Sequence, residues 1–332
     1  MKRAVLALMA VLGISALLVT GESASARPQL RVGFVVFAGL TPDRRDVFGL
    51  PYDGFIRAVK TLGVEGRALQ IAPNQDATGA LSLLARQRYD LIVMGAPFPE
   101  AVAAVARDYP ETRFLIPDLP LRSLSHRPKN VQGTLFRAEE AGYLAGYLSG
   151  LMEKRRPGRD AVSSVGGYKF DGVDRWIVAY RSGARRADPG IVTLNTYANN
   201  FTNPAKCRTV ALDQIAKGAG AVFNVAGGCG FGALEVAKEK GVWGIGVDVD
   251  QSYLGPHILT SAVIRLDLAV FTAIQRLVKG TFTTGGNTVF DLGNGGVGLG
   301  RVSPEVPPSF LRQLDRVRHQ IIAGKISVPR VT

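Results

Sequence analysis

The chain is 332 residues long, with 46% hydrophobic and 20% charged residues, which is enough apolar material for two packed domains of roughly 100–200 residues each. That composition excludes a disordered chain, a collagen-like repeat and a heptad rod. A formal net charge of +13 comes with two cysteines and three scattered histidines, His126, His257 and His319, so a disulfide-dense scaffold and a zinc centre are excluded too.

In chain order the first feature is an address. Lys2 and Arg3 precede an almost wholly apolar run from Ala4 to Val19, and Ala24-Ser25-Ala26 follows. These are the basic, apolar and small-residue regions of a secretory signal over 1–26, with cleavage expected before Arg27. The apolar run falls short of the ~20 residues that span a bilayer; an uncleaved anchor helix is the alternative. No later segment is apolar enough to cross a membrane, and no cysteine lies near the cleavage point to carry a lipid. The mature protein is expected in the periplasm or outside the cell. In such an oxidising space Cys207 and Cys229 either pair as a disulfide or remain two buried thiols.

Strand and helix then alternate. RVGFVVFA (31–38) reads as a buried strand, and Phe55, Ile56, Val59 and Leu62 recur at helical spacing in 52–62. A strand at 66–72, a helix around Leu81, Leu84 and Ala85, a strand at 90–96, a helix at 99–108 and a strand at 112–118 complete the first half. The second half repeats the rhythm. Helices are predicted at 138–151, 172–186, 204–218 and 231–240, and strands at 163–167, 191–198, 221–226 and 242–248. A helix at 266–278, a Gly-rich hairpin-like stretch at 281–303 and an amphipathic helix at 309–323 follow. This alternation is the pattern of parallel sheets covered by helices on both faces. Two similar α/β halves predict a bilobed protein with a ligand cleft between them.

In open α/β sheets ligands sit beyond the carboxyl ends of the strands. There the sequence offers Asp43, Arg44, Arg45 and Asp46 in a polar loop, then Phe98, Asn199-Asn200-Phe201, Gly227-Gly228 and Asp248-Val249-Asp250. Glycine lets backbone approach a ligand, aromatic rings offer flat faces and carboxylates accept hydroxyl donors. Together these suit a small polar ligand with a flat ring. Each group also has an ordinary reading: a ring can plug a core, and Asp250 can cap a turn. The chain carries no G-x-S-x-G, no phosphate-loop motif and no paired His/Cys arrangement, so no enzyme, cofactor or metal is called for. Basic clusters at Lys154-Arg155-Arg156, Arg185-Arg186 and Arg312, Arg316 and Arg318 read as solvated helix faces without the aromatic interleaving of a nucleic-acid binder.

At the glycine loop and the Asp pair the sequence becomes recognisable. NVQGTLFRAEEAGYLAGYLSG (130–150), VGG (165–167), the stretch 203–267 with GVDVDQSYL, and DLGNGGVGLG (291–300) resemble the basic membrane protein family, the purine-nucleoside-binding substrate-binding proteins of ABC transporters. The resemblance implies a type I periplasmic-binding fold: two Rossmann-like lobes joined by three crossovers, placed near 136, 250 and 282. The first lobe would then be 27–136 plus 250–282, and the second 137–249 plus 283–332. It further implies that Phe201 stacks on a purine, Asp248 holds ribose hydroxyls, Gly227 and Gly228 approach the ligand, and Asp118 is an acidic contact. Where the family carries Asp-Lys-Ser-Phe-Asn, this chain has Asp43-Arg44-Arg45-Asp46-Val47-Phe48, so the resemblance implies Phe48 as the matching ring and Asp43 or Asp46 as the acceptor. The family's cleft lysine is replaced by Ile264, followed by Arg265. The expected protein is a monomeric solute receptor that hands a purine nucleoside or nucleobase to an ABC permease. A ligand-sensing receptor of the same fold, a binder of a non-nucleoside solute and a secreted nucleoside hydrolase remain the alternatives.

Overall fold

The computed structural model describes residues 29–37, 47–72, 75–95, 98–158 and 160–331. The expected signal segment at 1–26 and the loop residues Asp43 and Asp46 lie outside the described residues.

The first lobe is built on β1 (Arg31–Phe37), α1 (Gly49–Thr61), β2 (Glu65–Ile71), α2 (Thr78–Arg86), β3 (Leu91–Met94), α3 (Pro99–Asp108), β4 (Arg113–Ile116) and β5 (Val131–Phe136). Residues 32–36 of β1 are buried in succession because both sheet faces are covered. Alternate side chains go to opposite faces. Phe34 and Val36 pack with Phe55 and Ala58 of α1, whereas Val35 joins Leu81 and Leu84 of α2 and Val102 and Val105 of α3. Burying a side chain such as Phe34 contributes about 1.5–3 kcal/mol.

The second lobe follows with α4 (Ala138–Glu153), β6 (Ala161–Gly166), α5 (Asp171–Ala187), β7 (Val192–Tyr197), α6 (Pro204–Ala216), β8 (Ala221–Val225), α7 (Gly230–Glu239), β9 (Trp243–Asp248) and β10 (Ile258–Ile264). The chain then returns to the first lobe with α8 (Leu266–Val278) and β11 (Asn287–Phe290), and ends in the second with β12 (Val297–Leu299) and α9 (Pro308–Ile322). The helix α4 is buried on every side, so it lacks the polar face of a surface helix. Its glycines at 142, 146 and 150 fall at four-residue spacing and let α5 approach closely. A Cβ on Gly146 would lie 1.9 Å from the Tyr180 carbonyl oxygen.

The two six-stranded sheets have the orders β11-β5-β4-β3-β1-β2 and β12-β10-β9-β8-β6-β7. All pairs are parallel except β10 with β12. This is the type I periplasmic-binding architecture. In each sheet the strand order reverses once, between β1 and β3 and between β6 and β8, and ligand crevices open at such switch points.

The division of the chain between the sheets differs from the boundaries expected at 250 and 282. The strand β10, within 250–282, pairs parallel with β9 and so belongs to the second sheet. The chain recrosses at Arg265, and α8 sets Val270, Ala273, Ile274 and Leu277 into the first lobe's core. The stretch 281–303 is not a hairpin: β11 pairs with β5 in one sheet and β12 with β10 in the other, so its glycines lie on the third crossover. Two strands, β5 and β10, have no counterpart in the sequence reading. Each interrupts its apolar run with buried polar residues, Gln132 and Thr134 in one and Thr260 and Ser261 in the other.

Candidate functional site

The site grows from the strand ends. Among the described residues, four there have left-handed backbone: Asp118 (φ +56°) after β4, Asn199 (φ +49°) after β7, Gly227 (φ +53°) after β8 and Asp248 (φ +65°) at the end of β9. Glycine adopts this conformation freely, and Asp and Asn tolerate it better than other residues do. The turns can therefore aim their side chains where a longer loop would be needed otherwise.

Asp118 belongs to the first lobe and Asp248 to the second. The Asp118 amide donates to Thr134 Oγ1 at 2.7 Å, which fixes the turn. Arg175 of α5 extends from the second lobe, with Nη2 3.6 Å from Asp118 Oδ1 and Nη1 donating to the Phe136 carbonyl at 3.4 Å. Its Nε is buried with no hydrogen-bond partner among the described residues. The side chain of Asp118 keeps 32% exposure, so it is a partly solvated group rather than a core one. Burial pushes the Asp248 carboxyl up to about 7, the Asp118 charge adds to the rise and Arg175 opposes it. Burial raises Asp118 as well, again against the pull of Arg175. Two carboxylates near one cation leave the site able to accept hydrogen bonds from hydroxyl or amino groups.

Aromatic rings gather at both switch points. In the first lobe Phe37, at the end of β1, meets Phe98 at 5.4 Å and Phe48 at 6.4 Å between ring centroids, both edge-on. In the second, Phe201 meets Tyr168 at 5.3 Å and Phe170 at 6.3 Å. Phe48, Tyr168 and Phe170 are 42%, 46% and 51% exposed, large apolar faces left in contact with solvent. Glycine is required beneath them: a Cβ on Gly167 would lie 2.1 Å from the Phe201 ring. The Gly227-Gly228 turn packs against the Phe201 backbone, and the Cys229 amide donates to the Phe201 carbonyl at 2.9 Å. Cys207 and Cys229 are joined by a disulfide. The loop carrying Tyr168 and Phe170 is anchored through Asp174, which ion-pairs with Lys169 at 3.1 Å and accepts from the Tyr197 hydroxyl.

The structure thus sets Phe201, Gly227, Gly228 and Asp248 at strand ends of the second lobe, and Asp118, Phe48 and Phe98 in the first. Arg265 is placed otherwise. It makes two bonds of 2.8 Å to Asp267 at the second crossover, where Arg57 of α1 adds a third contact at 3.3 Å. Burial pushes the Asp267 carboxyl up, but its bonds to Arg265 and the charges of Arg265 and Arg57 outweigh this and hold it below its usual value. Arg265 is therefore committed to the hinge. Asp250 caps the next turn, accepting from the Ser252 amide and hydroxyl at 3.1 Å each, and is not paired with Asp248. Sequence reasoning missed Phe37, Tyr168, Phe170 and Arg175. The aromatic run Tyr168-Lys169-Phe170 directly after a predicted strand was a usable signal, whereas nothing in sequence marks Arg175, whose role depends on the other lobe.

The chain is similar to known proteins over most of its length. Residues 50–332 match the Bmp family model, described as ABC transporter substrate-binding protein PnrA-like. Basic membrane protein A2 of Borrelia garinii subsp. bavariensis is 32% identical over 242 residues, covering 71% of this chain and 70% of that protein. The ABC transporter nucleoside-binding protein BmpA of Lactococcus lactis subsp. cremoris is 29% identical over 265 residues, covering 74% of this chain and 72% of that protein. Among solved structures, a solute-binding protein of an ABC transporter system from Aeropyrum pernix K1 superposes with a TM-score of 0.74 at 23% identity, covering 91% of this chain and 94% of that one, which is a likeness of fold.

Proposed function

The chain belongs to the Bmp family of PnrA-like ABC transporter substrate-binding proteins, and on that footing we propose that its interlobe cleft binds a purine nucleoside. Proteins of this class capture small solutes and pair with a permease; they are not enzymes. The observation that carries the ligand assignment is an aromatic set at each of the two switch points together with Asp118 and Asp248, near enough that the Asp118 charge raises the Asp248 carboxyl. Phe201, backed by Tyr168 and Phe170, takes one face of the base, and the ring of Phe48 or Phe98 takes the other. Asp248 and Asp118 accept the ribose hydroxyls, and the Gly227-Gly228 turn brings backbone against the ligand. The name of the Lactococcus relative supports the same solute class.

Capture follows from the hinge. The chain crosses between lobes at Arg137, at Arg265 and across 291–296, all at one side of the cleft. Bending at three short segments brings the aromatic sets together without repacking either core. Export through the signal at 1–26 places the monomeric receptor beside its permease. A thermal-shift panel tests the assignment. A nucleoside at about 100 times its Kd stabilises the folded state by about 2.7 kcal/mol, so inosine, guanosine or adenosine should raise Tm by several degrees. A rise with pentoses or amino acids and none with any nucleoside would overturn it.

A further inference from the structure

Phe201 and the Gly227-Gly228 turn come from different strand ends, after β7 and β8, yet they form one surface. The turn carries glycines at 227, 228 and 230, whose backbone has no Cβ to restrict it. The Phe201 side is braced locally, because Asn200 Oδ1 accepts from the amides of Thr202 and Asn203 at 2.9 and 2.6 Å. Between the two loops the backbone contributes the bond from Cys229 N–H to Phe201 O. The disulfide adds the covalent tie. Cys229 directly follows Gly228, and Cys207 lies in the first turns of α6, which starts three residues after Phe201. Both cysteines are wholly buried, among Val165, Ala211, Ala226 and Ala233. The helices they join already touch: a Cβ on Gly232 would lie 2.0 Å from the Pro204 carbonyl oxygen.

We infer that the Cys207–Cys229 disulfide is a positioning element for solute capture: it fixes the glycine turn against the Phe201 loop and so sets the height and tilt of the ring beneath the ligand. A binding surface works only when its groups are held within about 0.5 Å of the productive geometry. A turn of glycines released from its anchor spends part of the binding free energy on being ordered again. The cross-link thus acts on affinity as well as on stability, through side chains that never touch the solute.

The test compares the wild type with Cys207→Ala/Cys229→Ala, and with Leu148→Ala as a control that loosens the α4 core of the same lobe away from the platform. Amide exchange at position 229 is read in all three, and inosine affinity is titrated where each is fully folded. The inference predicts lost protection at position 229 and a fall in affinity of about tenfold or more in the cysteine variant, with both retained in Leu148→Ala. If the alanine pair does not fold, the wild-type disulfide is opened with dithiothreitol. The dithiol gives up two electrons and two protons, closes to its cyclic disulfide and leaves two cysteine thiols. Unchanged protection and affinity after loss of the bond would overturn the inference. The affinity arm rests on the nucleoside reading and the exchange arm does not. Absent binding by the wild type would count against the ligand, while unchanged exchange would count against the positioning role.

Discussion

Arg175 of the second lobe stands 3.6 Å from Asp118 of the first, so one ion pair bridges the two lobes. The same guanidinium donates to the Phe136 carbonyl at the edge of the first crossover and lowers the charge repulsion between Asp118 and Asp248. It therefore connects the ligand walls to the hinge. A half-open ion pair of this kind contributes at most about 1 kcal/mol, enough to shift an open–closed equilibrium several-fold without locking it. The variant Arg175→Met should make the ligand-free protein more open, seen as a larger radius of gyration in solution scattering. Identical scattering curves would remove Arg175 from the closure mechanism.

In the proposed reading, Phe201 is the ring that the second lobe presents to the base. Removing it forfeits burial of about 1.5–3 kcal/mol and ring contact of about 0.5–1.5 kcal/mol. The variant Phe201→Ala should thus bind inosine roughly 30- to 1,000-fold more weakly, while Phe201→Tyr stays within a few-fold of the wild type. Competition binding against a labelled nucleoside would read both.

Asp248 links pH to stability with a definite sign. Its carboxyl is raised from 3.8 to about 7 in the folded protein, so the folded state keeps a proton that the unfolded state releases. The stability this site contributes is complete below about pH 4 and is lost as pH rises toward 7. The variant Asp248→Asn keeps a neutral group throughout. Its Tm should draw level with the wild type near pH 4 and exceed it by a growing margin up to pH 8, although solute binding is lost. A margin that shrinks with rising pH would contradict the assignment.

The close approach of α4 and α5 makes an opposite pair of glycine predictions. Alanine normally favours a helix by about 1 kcal/mol over glycine. At Gly146 the new methyl would meet the Tyr180 carbonyl, so Gly146→Ala should destabilise by about 1–3 kcal/mol or more. At Gly79 in α2 nothing lies within 4 Å, so Gly79→Ala should stabilise by about 0.5–1 kcal/mol. Urea unfolding of the two variants gives the comparison directly.

The alternation of buried strands and amphipathic helices was legible because Val, Phe and Ile concentrate where both sheet faces are covered, as in β1 and β3. The strands β5 and β10 were hidden by buried Gln132, Thr134, Thr260 and Ser261, whose polar groups are satisfied only in the folded sheet. With β10 unseen, the second crossover slid from Arg265 to the Asp250 turn. At the site, Phe201, Gly227 and Asp248 stand at the ends of recognisable strands, so sequence alone could place them. The contribution of Arg175 depends on which carboxylate the other lobe sets before it, and Arg265 is captured by Asp267 two residues away, a competition that spacing does not resolve.

The central claim is that two hinged lobes close on a purine nucleoside between Phe201 and the acid pair. Isothermal titration of the wild-type protein with inosine, guanosine, adenosine, free purine bases and ribose tests it most directly. The account predicts one-site heats with at least one nucleoside, weaker binding of its free base, and ribose weaker still. Flat titrations with all three nucleosides would contradict it, whatever else the cleft took up.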